Sequence, residues 1–88
     1  MKLKKDLLLR QVAGSWVVVA VGMASIDLNG MLTLNETGAL LWKALESGAD
    51  RTALIHTLTS EYEVSEQQAG EDADEFLAML RQAGCLED

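Results

Sequence analysis

The chain has 88 residues, one cysteine, one histidine and no proline, with 49% apolar and 24% charged side chains and a net charge of −7. That is enough for one hydrophobic core but not for a core plus a deep catalytic cleft, and it lacks the low hydrophobicity of a disordered chain. A single domain spanning residues 1–88, acting without catalysis, is the expectation.

The charge is lopsided. Residues 1–43 carry five basic and three acidic side chains, residues 44–88 two and eleven, and Glu61 to Glu75 contains seven acidic groups and no basic one. Nucleic-acid affinity rests on Lys and Arg neutralising phosphates, so the acidic half repels such a partner. Cys85 alone makes no intrachain disulfide, and with the lone His56 it falls short of the roughly four ligands of a structural metal site. No cofactor or metal is therefore expected. No apolar run reaches the ~20 residues of a membrane span. Asp6 and Arg10 interrupt the basic-then-apolar start before a signal-peptide core can form, so the cytoplasm is the expected location.

In chain order, Leu7 to Ala13 and Trp16 to Val21 read as strands, joined through Gly14-Ser15 as a type II′ turn that would set Ala13 opposite Trp16. The run Trp16-Val17-Val18-Val19-Ala20-Val21 does not alternate with polar residues, which predicts either that both of its faces are covered or that it lies centrally in a small sheet. Gly22 to Ser25 reads as a loop. Asn29-Gly30 is a tight-turn signal that either closes a short hairpin from Ile26 to Leu28 or feeds a third strand, Met31 to Leu34; the second is favoured because three residues pair poorly on their own.

At Asn35 the period changes from strand to helix. Asn35 is an N-cap, Glu36 complements the helix dipole, and the helix should stop at Gly48. Asp50 caps a second helix that buries Leu54, Ile55, Leu58 and Tyr62. Ser65 and Gln68 form a capping box for a third, which runs to about Gln82 and buries Ala69, Ala73, Phe76 and Leu80. Strands followed by helices predict an α+β domain: three N-terminal antiparallel strands and a three-helix bundle. Met31 to Leu34 carries no charge or proline to protect it, so at a sheet edge it would be open to an added strand.

The pattern LNETGALLWKALESGA, then Leu54-Ile55 and Leu58, then Glu61-Tyr62-Glu63-Val64, Phe76-Leu77, Leu80 and Ala83-Gly84-Cys85-Leu86, resembles the PqqD-like family of recognition elements for ribosomally made precursor peptides. Cys85 departs from it, standing where the family more often has Leu. The resemblance implies a winged-helix-like fold and a peptide-modification chaperone. Such a protein binds a precursor's leader segment by strand addition and presents the rest to a modifying enzyme such as a radical SAM maturase. It implies that Met31, Leu32, Thr33 and Leu34 form the pairing edge, facing the last helix across a cleft. Helical spacing then nominates Gly70, Asp74, Leu77 and Arg81, a stripe flanking the core face, as the far wall. Leu32→Pro should abolish leader binding.

Two other readings compete. A winged-helix DNA-binding regulator would have to place a third helix bearing Glu66, Glu71, Asp72, Asp74 and Glu75 against phosphates, with Arg81 alone in compensation. A homodimeric adaptor would use the same uncharged edge, so the oligomeric expectation is a monomer or weak homodimer.

Overall fold

The computed structural model describes residues 2–21 and 32–87. Strands β1 (Lys2–Leu3), β2 (Leu7–Val12), β3 (Ser15–Ala20) and β4 (Leu32–Leu34) precede helices α1 (Glu36–Glu46), α2 (Arg51–Glu61) and α3 (Glu66–Gln82), and β5 (Leu86–Glu87) closes the chain. The predicted α+β order of three sheet strands and then three helices is therefore present. Met31, Ile26 to Leu28, the Gly22 to Ser25 loop and the Asn29-Gly30 turn lie outside the described residues.

The main sheet is antiparallel in the order β2-β3-β4. Its central strand is β3, as the unbroken apolar run predicts, with Val18 fully buried and Val17 nearly so. The hairpin turn differs from expectation. Val12 pairs with Ser15, so the loop is Ala13-Gly14, at φ 51° and 82°. Positive φ at both positions makes this a type I′ turn, whose twist matches that of the strands. Relative to the expected Ala13–Trp16 pairing, every partner moves by two residues. The two-residue side-chain period therefore keeps each side chain on its predicted face.

The pair flanking a two-residue loop is hydrogen-bonded, and such pairs alternate with non-bonded ones along the ladder. Ser15, Val17 and Val19 therefore turn their N–H and C=O groups toward β2, while Trp16 and Val18 turn theirs toward β4. The Val21 N–H, which donates to the Asp6 carbonyl at 2.9 Å, keeps the same alternation. Since Trp16 is opposite Leu34 and Val18 opposite Leu32, these two leucines are the ones bonded to β3.

Each helix starts on its predicted cap. Asn35 Oδ1 accepts from the Gly38 N–H at 2.7 Å, Asp50 Oδ1 from Ala53 at 2.9 Å, and Ser65 Oγ from Gln68 at 3.1 Å. The Ser65 capping box is half made: Ser65 accepts from the Gln68 N–H, while the Gln68 side chain, in place of accepting from the Ser65 N–H, donates along the helix to Asp72 Oδ1. α3 ends in a Schellman motif. Gly84, at φ 81°, donates to Arg81, and Cys85 donates to Leu80. This turns the chain so that β5 can pair with β1, a contact that two-residue strands give no periodic signal for. Tyr62, predicted on the buried face of α2, caps that helix in an extended conformation instead and is 40% exposed.

One core joins Leu7, Val18 and Leu34 of the sheet to Trp42, Leu54, Leu58, Ala69, Ala73, Leu77, Leu80 and Cys85. The Trp42 indole N–H has no partner among the described residues. Burial pushes the Cys85 thiol pKa up, against a weaker opposing pull from Lys4, so Cys85 acts as a small apolar side chain.

Candidate functional site

β4 is bonded to β3 on one side only, and no described strand lies on the other. Leu32 and Leu34 spend their backbone groups on β3, so Thr33, between them, turns its N–H and C=O outward. The side chains run the opposite way. Leu34 is 4% exposed and Leu32 half-buried, both facing the helices, while the Thr33 side chain is exposed.

Beside this edge an open cleft of about 620 Å³ runs between β4, the start of α1 and α3. Thr33 and Leu34 line it from the strand, Asn35, Thr37, Gly38 and Leu41 from the cap and α1, and Asp72, Glu75, Phe76 and Met79 from α3. Gly38 sets its floor. A Cβ there would stand 3.3 Å from Leu34 Cβ and 3.2 Å from the capping Asn35 oxygen, so a larger residue would push α1 away from the strand.

The α3 wall is the opposite flank of the helix from the one nominated by spacing. At 100° per residue, Leu77, Gly70, Arg81 and Asp74 lie to one side of the core stripe, and Asp72, Met79 and Glu75 to the other. None of Gly70, Asp74, Leu77 and Arg81 lines the cleft. Gly70 faces α2, where an added Cβ would meet Arg51 Nη2 at 3.2 Å and Ile55 Cδ1 at 3.7 Å. Asp74 takes a two-pronged contact from Arg51, Nε to Oδ1 at 2.6 Å and Nη2 to Oδ2 at 3.0 Å. That hydrogen bond first, with the attraction of Arg51 and Arg81 behind it, holds the Asp74 carboxyl below its ordinary pKa. Leu77 is core, at 4% exposure.

The cleft side carries a different chemistry. Among the described residues, neither Asp72 nor Glu75 has an ion-pair partner and no basic side chain lines the cleft. Phe76 is nearly buried, whereas Met79 is 36% exposed, so apolar surface stands open beside two carboxylates. The signal for this wall is in the sequence, since residues 72, 75, 76 and 79 follow helical spacing, but Phe76 alone reads as core.

A smaller hollow lies among Trp16, Leu40, Lys43 and Tyr62, where the Lys43 ammonium sits 4.4 Å from the Trp16 ring centre and Thr37 donates to the Tyr62 hydroxyl at 3.3 Å. Among the described residues there is no cluster of three or more His, Cys, Asp or Glu able to hold a metal, and no helix is long and apolar enough to cross a membrane.

Comparison with known proteins bears on this geometry. Residues 16–86 match the family model described as coenzyme PQQ synthesis protein D, PqqD. No curated protein matches the chain. Among solved structures, TbiB1 in complex with the TbiA(beta) leader peptide is similar at 21% identity and a TM-score of 0.82, over 99% of this chain and 95% of that one. A lasso peptide synthetase B1 complexed with its leader peptide is 25% identical, with a TM-score of 0.80, over 99% of this chain and 96% of the other.

Proposed function

The chain belongs to the PqqD family, and from that membership we propose that it is a peptide-modification chaperone: a single recognition unit that binds the leader segment of a precursor peptide without itself catalysing a reaction. The leader adds as a strand along β4, over Met31 to Leu34, and its inward side chains pack across the cleft against α3. The partner that then acts on the presented peptide is a modifying enzyme, with a radical SAM maturase as the proposed class.

The observation that carries this reading is the pairing alternation at β4. The outward N–H and C=O of Thr33 stand at the mouth of a cleft with apolar and charged side chains on its far wall. Backbone bonds supply affinity for any extended peptide, and the far wall supplies choice among peptides. A few such bonds at a net ~1 kcal/mol each, with two or three apolar side chains at ~1.5 to 3 kcal/mol, less the ordering of a flexible leader, give a complex in the micromolar range. Support for the ligand class comes from the 25%-identical relative complexed with a leader peptide.

The alternation also changes which proline substitution is the test. Leu32→Pro, the change the sequence suggests, would delete a bond to Val18 and damage the sheet itself. Thr33→Pro removes only an outward N–H, in a place where edge strands tolerate proline. Calorimetry with a leader peptide that the unaltered chain binds should show no measurable binding to Thr33→Pro, with an unchanged far-ultraviolet circular dichroism spectrum. Unaltered affinity in that folded variant would exclude strand addition at β4.

A further inference from the structure

We infer that the cleft selects peptides carrying a lysine or arginine and an apolar residue two positions apart, the basic side chain held by Asp72 and Glu75 and the apolar one by Phe76 and Met79. This rests on the reading of the cleft as a peptide site and adds the chemistry of the peptide.

The inference follows from register and charge together. A peptide residue placed opposite Thr33 exchanges backbone bonds with it and points its side chain to the outer face, as Thr33 does. Its two neighbours in the peptide therefore point to the face of Leu32 and Leu34, which is the face covered by α3. Those neighbours are about 6.8 Å apart along a strand. On α3, the centre of the Asp72 and Glu75 pair and the centre of the Phe76 and Met79 pair are four residues apart, or about 6 Å of helix rise. For a peptide strand running along α3, two inward side chains and two patches of opposite character thus share one spacing.

Charge then decides which side chain each patch takes. Asp72 and Glu75 lack an ion-pair partner among the described residues, while Asp74, less than one helical turn away, already holds Arg51. An apolar peptide residue against Asp72 and Glu75 would remove water from the carboxylates with only the Gln68 bond to Asp72 in compensation, and an acidic one would add repulsion. A basic one restores what is lost. Phe76 and Met79 offer the neighbouring position an apolar surface, with Leu41 in the same cleft lining.

The test is selection of short random peptides on the full chain, in its natural form and as the charge-reversed Asp72→Lys/Glu75→Lys variant. The expected result is enrichment of a basic residue two positions from an apolar one on the natural chain, and loss of the basic preference on the variant. A selected peptide, measured by fluorescence anisotropy, should bind Asp72→Asn/Glu75→Gln roughly three- to tenfold more weakly. That loss should vanish when the basic residue of the peptide is replaced by norleucine. Selected peptides that Thr33→Pro rejects but that show no basic preference would overturn this inference and leave strand addition standing. Binders indifferent to Thr33→Pro, or a cleft occupied by a second copy of the chain in light scattering, would overturn both.

Discussion

On one flank of α3, the Asp74 carboxylate is clasped by Arg51, Gly70 leaves room for that same guanidinium, and Leu77 closes into the core. On the other flank, Asp72 and Glu75 stand without an ion-pair partner among the described residues, and Met79 leaves apolar surface open beside them. The two flanks both carry carboxylates and lie only about half a turn apart. What separates them is the neighbour. α2 packs against the Asp74 flank and satisfies it, whereas the Asp72 flank faces, across a cleft, a strand whose outer edge no described strand covers. A helix can thus hold a fold together on one side while leaving carboxylates and apolar surface open on the other.

Substitutions on the two flanks should separate stability from binding. Leu77→Ala, on the packed flank, should cost about 2 to 5 kcal/mol in urea unfolding, the range for emptying a buried leucine site. Met79→Ala, on the open flank, should shift stability by no more than ~0.5 kcal/mol while weakening leader binding by roughly tenfold in calorimetry. If Met79→Ala unfolded the chain and left binding intact, the division between the flanks would be wrong.

A smaller effect is expected at Gly70. Gly70→Ala should raise stability by up to ~1 kcal/mol, because alanine favours the helix and the Arg51 Nη2 it crowds, although bonded to Asp74, is the far end of a flexible, exposed side chain that can shift by a few tenths of an ångström. Leader affinity should not change; a drop would return Gly70 to the binding wall.

The smallest effect concerns acid. Asp74 has its pKa lowered by Arg51, so its contribution to stability is present above the unfolded-state value and is lost as pH falls through the lowered folded value. Asp74→Asn should therefore slightly flatten the loss of stability below about pH 3.9, the ordinary aspartate value, as read from urea midpoints across the acid range. Since both side chains are more than half exposed, the change should be near the limit of detection.

Much of the architecture can be read from local chemistry. The three helix caps, the central place of the Trp16 to Ala20 strand and the apolar stripe of α3 each depend on a few adjacent residues and a fixed period, so single-chain pattern suffices for them. The hairpin register differs by one turn type because Gly14 can serve in either a II′ or an I′ loop. Only pairing across the strands shows that Ala13 adopts positive φ as well.

The uncharged strand beside the cleft is legible in the sequence, whereas the α3 flank that lines the cleft is not the one nominated by spacing, for one physical reason. Periodicity around a helix identifies a buried stripe and two flanks, but the flanks are mirror choices until neighbouring elements are placed in space. The residues alone were enough to establish an uncharged strand running into a capped helix, an acidic last helix, and which face of that helix is core. Packing of α2 against Gly70 and Asp74, and of β4 opposite Asp72, Glu75, Phe76 and Met79, settled which flank faces the cleft. The hand with which three helices wrap a sheet is a property of the assembled core, and no stretch of chain shorter than that core contains it.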